Sequence, residues 1–380
     1  MDAMPRDAAL AALMGDLDGL DVSDDAALVR KRSRDFFWYS PILNRQLHGL
    51  SADLMVTPRS EAEVIRVAAA CARRRVPLTV RGGATGNYGQ AVPLEGGVLL
   101  DMTAMTAIRG AKPGWLKVEP GAKMGAVDAA LADTGWELRL HPSTKRTATI
   151  GGFVAGGSGG VGSVTYGGLR EPGNILAARV VTVEPEPRVI RLRGDAAQKV
   201  NRAYGTTGII TELEMPLAPR WAWVDVVVAF DDFYAALACG QAVGMADGVV
   251  KKLVSPIAWP LPSYFGPMAA HCPEGAAILA CMIAEPSLES FADIVTAHGG
   301  RITHQTPTEE APGKIPLYEY TWNHTTLQML KADRGVTYLQ CLYPHDRLIE
   351  AVRLTSEAFP DELIPHCEII RFGGRLSASS

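Results

Sequence analysis

Hydrophobic residues in the first quarter of the chain recur at helical and then at strand spacing. Ser60 is followed three residues later by Glu63, which is the spacing of a capping box at the start of a helix. Apolar residues then return every three or four positions, at Val64, Val67, Ala68 and Cys71. A short apolar run at 78–80 follows. This pattern predicts an amphipathic helix that leads into a strand.

Short apolar runs continue up to residue 215, with helical segments between them. The runs predict strands at 97–102, 115–119, 136–141 and 209–215 and helices at 125–133 and 195–204. The early part of this series alternates like βαβ units. The runs at 175–183 and 188–193 predict a hairpin, because Glu184-Pro185-Glu186-Pro187 forms a turn between them.

The best candidate for a domain boundary is Pro216-Leu217-Ala218-Pro219-Arg220, where two prolines interrupt the pattern. Beyond it the pattern predicts strands at 222–230, 249–256, 276–284 and 301–304 and helices at 231–245 and 288–298. The order strand, helix, strand therefore occurs twice, which indicates an α+β domain with an antiparallel sheet. The predicted domains are therefore residues 1–220, with a helical lead-in at 1–50, and residues 221–380.

Composition and charge narrow the class of protein. Of 380 residues, 47% are hydrophobic and 21% charged, and the formal net charge is −4, as in ordinary globular proteins. Lys and Arg are scattered, so we expect no binding to nucleic acid or to an anionic membrane. We find neither a secretory signal nor an apolar run long enough for a transmembrane segment. The six cysteines form no CxxC pair, which indicates reduced thiols and a cytoplasmic protein.

Glycine is enriched, with 38 residues, and the sharpest cluster directly follows the strand at 78–80. It reads Arg81-Gly82-Gly83-Ala84-Thr85-Gly86-Asn87-Tyr88-Gly89-Gln90. Such a loop can turn several backbone N–H groups inward, and its lack of side chains lets a pyrophosphate approach the main chain. A plain glycine turn is the alternative for this loop taken alone. It is not the G-x-G-x-x-G of NAD-binding proteins, so NAD is not expected.

Two more glycine-rich segments follow. The second segment runs from Pro142-Ser143-Thr144 through Thr147-Ala148-Thr149-Ile150-Gly151-Gly152 to Ala155-Gly156-Gly157-Ser158-Gly159-Gly160. The third is Tyr204-Gly205-Thr206-Thr207-Gly208-Ile209-Ile210-Thr211. Hydroxyl groups that can donate to phosphate alternate here with glycines that permit close approach. Three such loops between short strands suit a long, folded dinucleotide.

In order and spacing, the three segments resemble the FAD-binding domain of the PCMH-type flavoprotein family. That family includes vanillyl-alcohol oxidase, glycolate oxidase flavoprotein subunits and D-lactate dehydrogenases. The resemblance covers roughly residues 50–220. It implies an α+β fold, in which a two-subdomain PCMH-type FAD-binding domain is followed by an α+β cap, or substrate, domain with an antiparallel sheet.

The resemblance also implies cofactor contacts in all three segments. In the first, the pyrophosphate is expected at Gly82, Gly83, Ala84, Thr85, Gly86 and Asn87, flanked by Arg81, Gly89 and Gln90. In the second, contacts are expected at Pro142, Ser143, Thr144, Thr147, Gly151, Gly152, Gly156 and Ser158. In the third, Ile210 is expected near the adenosine end. Relatives with a covalently linked flavin carry His in the first loop or Cys in the second, and this chain has neither, so we expect non-covalent FAD.

Oxidation of an alcohol by a flavin also needs a base for the hydroxyl proton. The predicted cap domain concentrates polar and aromatic groups at residues 318–326. We expect His324 to act as the base and Tyr320 or Asn323 to orient the substrate. The alternative is that Asn323 or Thr325 caps a helix at 327–331, and both roles are compatible.

Other polar residues carry weaker signals. His141 lies just before the second glycine-rich segment, and Lys145 and Arg146 lie within it, where they would bind an anion or stay solvated. His366 and Glu368 share one face of a predicted strand. Two ligands are too few for a metal site, and the His-x-His motif of metal-dependent relatives is absent, so no metal is expected.

Together these patterns predict an FAD-dependent oxidoreductase that oxidises a small hydroxy acid or related alcohol by hydride transfer to flavin N5. A dehydrogenase is favoured over an oxidase, with a quinone, a carrier protein or oxygen as the electron acceptor. The alternatives are an oxidase of an aromatic or sugar alcohol and a non-catalytic flavin-binding subunit. We expect a small-molecule substrate and, as assembly partners, a second copy of the chain or a larger complex. The chain ends without the family's C-terminal return segment, so we expect a truncated or a naturally short form.

Overall fold

The computed structural model describes residues 5–360 and 362–379, so parts of both predicted domains (1–4, 361 and 380) lie outside the described residues. The chain divides into two compact units. Unit 1 comprises Met1–Arg139, Thr144–Ser158 and Pro172–Pro219. Unit 2 comprises Leu140–Ser143, Gly159–Glu171 and Arg220–Ser380.

Two short internal segments therefore differ from the sequence-based division at residue 220. Leu140–Ser143 and Gly159–Glu171 belong to unit 2, although both precede the proline-rich boundary. Backbone hydrogen bonds explain this: His141 N–H donates to the Val161 carbonyl at 3.1 Å, and Gly162 N–H donates to the Lys252 carbonyl at 2.7 Å. These pairings are long-range, so local sequence patterns do not reveal them.

Unit 1 contains the first six helices and ten strands. The helices are α1 (Arg6–Asp16), α2 (Ala26–Arg32), α3 (Pro41–Leu47), α4 (Glu61–Arg74), α5 (Met124–Ala130) and α6 (Ile150–Gly156). The strands are β1 (Val22–Ser23), β2 (Leu54–Val56), β3 (Leu78–Arg81), β4 (Val98–Asp101), β5 (Ile108–Lys112), β6 (Trp115–Val118), β7 (Trp136–Leu138), β8 (Ala177–Val181), β9 (Val189–Arg193) and β10 (Ile209–Pro219).

These strands form two sheets with different topologies. The first has the order β1-β2-β4-β3, in which β4 pairs with β2 and β3 in parallel. The second has the order β5-β6-β10-β8-β9, with β7 also on β10, and its pairs are antiparallel. The predicted βαβ-like alternation is therefore correct only for the first sheet. Connections as short as that between β5 and β6 allow only antiparallel pairing.

The capping box predicted at Ser60 is confirmed at the start of α4. The Glu63 N–H donates to Ser60 Oγ at 3.3 Å, and Glu63 Oε2 accepts from the Arg59 N–H at 2.8 Å. The apolar positions Val64, Val67, Ala68 and Cys71 are buried. Local capping and a helical apolar stripe therefore suffice to define this helix.

Two predictions in unit 1 were wrong in detail, and one helix was not predicted. The glycine-rich segment contains the helix α6, which begins where Thr149 Oγ1 accepts the Gly152 N–H at 3.3 Å. The helix predicted at 195–204 is a shorter 3₁₀ helix, Gly194–Val200. Strand β10 continues through Pro216 to Pro219, because the Leu217 N–H between the two prolines donates to the Gly114 carbonyl at 3.1 Å.

Unit 2 confirms the predicted antiparallel sheet. Its helices are α7 (Ser163–Tyr166), α8 (Phe233–Met245), α9 (Leu288–Ala297), α10 (Asn323–Leu330) and α11 (Leu348–Ala358). Its strands are β11 (Trp223–Phe230), β12 (Lys251–Ile257), β13 (Ala277–Ala284), β14 (Arg301–Pro307), β15 (Leu342–Tyr343), β16 (Glu368–Phe372) and β17 (Arg375–Ser379). The main sheet has the order β12-β13-β11-β14, and a smaller one has the order β15-β17-β16. Residues of α8, α9 and α11 pack with these strands in one hydrophobic core.

Two further predictions from the sequence concern membrane-spanning segments, of which none is expected, and the cysteines, which are expected to be reduced. Within residues 5–360 and 362–379, no helix is both long enough and apolar enough to cross a bilayer. The six cysteines carry free thiols.

The carboxylate of Asp225 is a buried charge under this sheet. Asp225 lies on β11 and is 0% exposed. It accepts hydrogen bonds from Thr308 Oγ1 and from the Leu317 N–H, each at 2.7 Å. Burial outweighs these bonds and raises the pKa of Asp225 from 3.8 to about 6. Because the folded pKa lies above the unfolded one, ionisation of Asp225 costs stability above pH 6, and this cost disappears as the pH falls toward 4.

We expect Asp225→Asn to raise the free energy of unfolding at pH 7.5, because it removes a buried charge and keeps one acceptor for the Leu317 N–H. The pKa shift corresponds to a gain on the order of 3 kcal/mol at most. Urea unfolding at pH 7.5 and pH 4 measures it, and the gain should vanish at pH 4. The exposed Asp231 provides a control in Asp231→Asn, which should show no such pH dependence. Equal destabilisation by Asp225→Asn at both pH values would mean that the hydrogen bonds outweigh burial.

Candidate cofactor and active site

The first glycine loop begins at an anchored arginine. The buried guanidinium of Arg81, at the end of β3, donates to the Arg32 carbonyl and lies 3.7 Å from Asp101 Oδ2. Arg81 Nε also donates to the Gly82 carbonyl at 3.2 Å. The Arg81 side chain therefore binds groups of the protein itself and fixes the start of the loop.

Gly82 and Gly83 pack directly against the second glycine-rich segment. A Cβ on Gly83 would lie 2.6 Å from the Thr147 carbonyl oxygen, and one on Gly82 would collide with Thr149 Oγ1. Thr149 Oγ1 accepts the Gly83 N–H at 3.3 Å. Side chains at these two positions would push the two segments apart.

The middle of the first loop contains one left-handed residue, the conformation from which anion-binding nests are built. Ala84 adopts a left-handed conformation with φ of 49°, which is rare outside glycine and turns successive N–H groups to one side. Each residue from Gly82 to Gly86 is half-buried. Thr144 Oγ1 donates to Thr85 Oγ1 at 3.2 Å, which ties the loop to the second segment.

The far end of the loop is held by Asp35, a residue that the sequence interpretation missed. Asp35 is buried, and its carboxylate accepts the Phe37 N–H at 2.9 Å and the Ala91 N–H at 3.5 Å. Burial raises its pKa to about 6. Asn87 is also buried here, while Gln90 Oε1 accepts the Tyr88 N–H at 2.9 Å. An aspartate directly before an aromatic run is the only signal the sequence offers.

The remaining predicted residues of the second segment lie along α6 and its approach. Gly151 is buried against Pro120, and the others range from half-buried to exposed: Thr147, Gly152, Gly156 and Ser158. Lys145 pairs with Asp128. Pro142 and Ser143 belong to unit 2, so the residues predicted in this segment are divided between the two units.

The third loop packs on the end of α6. The Arg202 N–H donates to the Val154 carbonyl at 3.2 Å, and the Tyr204 N–H donates to the Ala155 carbonyl at 3.1 Å. Both residues have positive φ, 54° and 52°. Ile210 follows on β10 and is buried. Unit 1 thus brings all three glycine-rich loops together.

This arrangement fits an FAD. A dinucleotide pyrophosphate needs backbone N–H groups without side chains in the way. The half-buried Gly82–Gly86 loop offers such groups around the left-handed Ala84, apart from the Gly83 N–H, which Thr149 Oγ1 accepts. Glycines at 82 and 83 are also required by the packing against Thr147 and Thr149. The residues that would hold the cofactor in unit 1 are therefore those of the first loop and of the second segment from Thr144.

In unit 2, Tyr320 is placed as a buried donor. Its ring stacks on Phe265 with centroids 5.1 Å apart, and it is 1% exposed. Burial raises the pKa of Tyr320 to about 12, so the hydroxyl stays protonated at neutral pH. Among the described residues, Tyr320 Oη has no hydrogen-bond partner. A buried hydroxyl of this kind is a candidate for a contact with a ligand or a water molecule.

Asn323 and His324 begin α10 without capping it. The residue before the helix is Trp322, and its side chain makes no capping hydrogen bond. Neither Asn323 nor Thr325 is therefore the N-cap residue, and that alternative is wrong. Asn323 Oδ1 accepts from Gln340 Nε2 at 3.0 Å. His324 Nδ1 lies 3.0 Å from the Glu319 carbonyl. A ring N–H on Nδ1 donates to that carbonyl, which leaves the lone pair on Nε2, as a general base requires.

A second histidine, His366, forms a polar cluster that the sequence interpretation did not assemble. His366 Nε2 lies 3.0 Å from Glu368 Oε1, 3.2 Å from Ser255 Oγ and 3.4 Å from Thr325 Oγ1. Ser255 Oγ also donates to the Cys367 carbonyl at 3.1 Å. Because Ser255 and Glu368 meet the same ring nitrogen, this is not a serine nucleophile activated by a relay. Alternation had placed His366 and Glu368 on one strand face; only the fold adds Ser255.

Trp322 connects the polar cluster around His366 to the start of α10, where His324 lies. Its backbone N–H donates to Glu368 Oε1 at 2.6 Å. Its φ of 56° and ψ of −142° are strained for a bulky residue and cost about 1–3 kcal/mol. Its ring packs where a Cβ on Gly159 would fall, and Nε1 is buried without a partner among the described residues. Strain and orphan donors concentrate at functional sites.

His141 lies in the same unit. Its Nδ1 is 3.0 Å from the Pro142 carbonyl, and its ring meets Tyr318 edge-on with centroids 4.9 Å apart. In the part of the chain that the structure describes, no group of three or more His, Cys, Asp or Glu side chains is arranged to hold a metal ion.

Comparison with known sequences identifies the domain that carries the first two glycine-rich segments. The FAD binding domain family matches residues 52–192. The glycolate oxidase subunit GlcD of Escherichia coli (strain K12) is 33% identical over 227 residues, which is 55% of this chain and 44% of the relative. The mitochondrial D-lactate dehydrogenase [cytochrome] of Arabidopsis thaliana is 30% identical over 176 residues, 43% of this chain and 30% of the relative. The chain thus spans less than half the length of these two relatives.

Comparison with solved structures concerns the fold. An alkyldihydroxyacetonephosphate synthase superposes on 100% of this chain and 80% of its own, with a TM-score of 0.76 and 17% identity. At this identity the match establishes a shared fold.

Proposed function

We propose that this chain, whose residues 52–192 match the FAD binding domain family, is an FAD-dependent dehydrogenase of a small hydroxy acid. The observation that carries the proposal is the first glycine loop, in which the bare backbone of Gly82 and Gly83 packs on Thr147 and Thr149 and Ala84 is left-handed. An intact pyrophosphate site supports a working flavoprotein over a subunit that has lost its cofactor.

The relatives support the substrate class. One is named as a subunit of glycolate oxidase and another as a D-lactate dehydrogenase, and a third is named D-2-hydroxyglutarate dehydrogenase. These three names share a 2-hydroxy acid, in which a secondary or primary alcohol is adjacent to a carboxylate. We assign the same class to this chain.

We assign proton removal and substrate orientation to residues of unit 2. When bound, FAD supplies the hydride acceptor. His324 then takes the hydroxyl proton at Nε2, because its Nδ1 is committed to the Glu319 carbonyl at 3.0 Å. Tyr320, protonated at neutral pH, and Asn323 orient the substrate. Glu368 and His366 position Trp322, and through it the start of α10, by the bond from the Trp322 N–H to Glu368.

The first test is the visible spectrum of the purified chain before and after denaturation. We expect flavin bands that leave the protein on denaturation, since neither glycine loop has a His or Cys to link the cofactor. Glycolate, D-lactate and D-2-hydroxyglutarate are then screened with an artificial electron acceptor and with oxygen alone. Faster turnover with the acceptor supports a dehydrogenase.

Other results contradict separate parts of the proposal. Flavin that stays with the denatured protein would show a covalent link from unit 2. Turnover with oxygen alone on an aromatic or sugar alcohol would replace the substrate class and the acceptor together. Bound FAD without turnover of any of these substrates would identify a flavin-binding subunit of a larger assembly.

A further inference from the structure

Unit 2 contains a cleft that the proposed oxidation does not use. It has a volume of about 640 Å³ and lies between one face of α8 and the turn that joins β16 to β17. The face of α8 is formed by residues spaced three and four apart, including Ala238, Ala242 and Met245. None of the lining residues belongs to the glycine loops or to the cluster around His366.

The opposite wall of the cleft is basic. Arg371 and Arg375 flank the Gly373-Gly374 turn, and His298 and His345 are also part of the lining, in which none of the described residues is acidic. Such a lining attracts anions.

The positive charge near the cleft is only weakly compensated. Arg371 Nη2 pairs with Asp247 Oδ1 at 3.0 Å, but the Asp247 side chain is 89% exposed, so water and salt screen it. Lys251 lies behind Arg371 and donates to the Ala246 carbonyl at 2.6 Å. Burial, and then the charge of Arg371, lower the pKa of Lys251 to about 8.

Hydrogen-bond donors remain for a ligand. Arg375 Nη1 lies 3.1 Å from His345 Nε2, and an imidazole carries no negative charge that would neutralise the guanidinium. A guanidinium has five N–H donors, so the contacts with His345 and Asp247 do not exhaust Arg375 and Arg371. A guanidinium matches the oxygens of a phosphate or carboxylate, and Arg371 and Arg375, on the paired strands β16 and β17, both line this cleft.

We propose that this cleft binds a small organic anion, with its phosphate or carboxylate group on Arg371 and Arg375 and a short apolar group against Ala238, Ala242 and Met245. The combination of a charged wall and an apolar floor distinguishes such a ligand from a bare inorganic ion. The site is separate from the residues assigned to oxidation, so its ligand is a second one.

Calorimetric titration of the full chain with phenyl phosphate and with benzoate tests the proposal. Benzyl alcohol, which has the ring without the charge, serves as the neutral comparison. We expect saturable binding of one anion per chain that weakens at high salt. Arg371→Gln and Arg375→Gln should each weaken it roughly 10- to 100-fold, the usual effect of losing a charged hydrogen bond. Binding of both anions indicates a general oxyanion site, and binding of phenyl phosphate alone assigns a phosphate ligand.

Arg347→Gln is the matched control. Arg347 is an exposed arginine of unit 2 paired with Glu350, and it does not line the cleft.

Ala242→Phe keeps the charges and fills the apolar floor, so it should weaken the binding of phenyl phosphate more than that of inorganic phosphate. The proposal is overturned if neither anion binds, if benzyl alcohol binds as well as they do, or if Arg347→Gln has the same effect as the two cleft variants. Circular dichroism and flavin content verify that each variant is folded.

Discussion

Replacing Gly83 with alanine is expected to remove FAD from the protein. The new Cβ would lie 2.6 Å from the Thr147 carbonyl oxygen and 3.3 Å from Ala148 Cα. Because both are backbone atoms, neither can rotate away, and one of the two glycine-rich segments must shift. A shift of this kind costs about 1–3 kcal/mol and also misaligns the N–H groups of the loop. We therefore expect FAD affinity to fall at least about 100-fold, measured by calorimetry of the apoprotein and by flavin absorbance.

Gly49→Ala is the control for this variant. Gly49 lies in unit 1, and no atom of the described residues is within 4 Å of the position that an alanine methyl group would take there, so FAD binding should be unchanged. Thr149→Val gives an independent route to the same result, since it keeps the shape of Thr149 but removes the oxygen that accepts the Gly83 and Gly152 N–H groups. If Gly83→Ala and Thr149→Val both fold and both retain FAD, the cofactor is not held by this loop.

Replacing His324 with glutamine is expected to lower kcat by about 10²- to 10⁴-fold, the usual contribution of a general base, while FAD content is unchanged. Glutamine keeps a polar side chain of similar size but cannot accept the hydroxyl proton. In the unmodified protein, kcat/KM should fall on acidification, because a protonated imidazole cannot act as a base. The variant should lose this acid-side decline. Steady-state kinetics between pH 5 and 9 on the best substrate of the screen measure both effects.

His366→Gln and His271→Gln separate catalysis from positioning. His366 is expected to act through Glu368 and Trp322, so its variant should show a smaller loss and keep the acid-side decline. His271 packs on the ring of His304 with centroids 4.1 Å apart, and its variant should behave like the unmodified protein. If His366→Gln loses turnover and its pH dependence while His324→Gln keeps both, the base is His366 and not His324.

Local patterns in the sequence were sufficient for much of the fold. The capping box at Ser60 predicted α4, because capping and an apolar stripe act within a few residues of each other. The turn at residues 184–187 predicted the antiparallel pair of β8 and β9. The alternating strands and helices after residue 220 predicted the antiparallel sheet of unit 2. The order and spacing of the glycine-rich segments likewise identified the FAD-binding domain.

The tertiary structure decided what depends on contacts between distant residues. Local spacing did not reveal α6, because the glycines that disfavour a helix are tolerated there by packing against Pro120 and Arg202. It did not assign Leu140–Ser143 to unit 2, since the partner of His141 is Val161.

The polar groups of unit 2 likewise depend partly on the sequence and partly on the tertiary structure. The sequence by itself determined which groups are available, and alternation placed His366 and Glu368 on one face. Only the fold brought Ser255 to His366, 111 residues away, and Glu368 to the strained Trp322 N–H. Capping hydrogen bonds and helical periodicity involve residues that are close in sequence, so local patterns predict them. A functional site joins residues that are far apart in sequence, and only the folded chain brings them into contact.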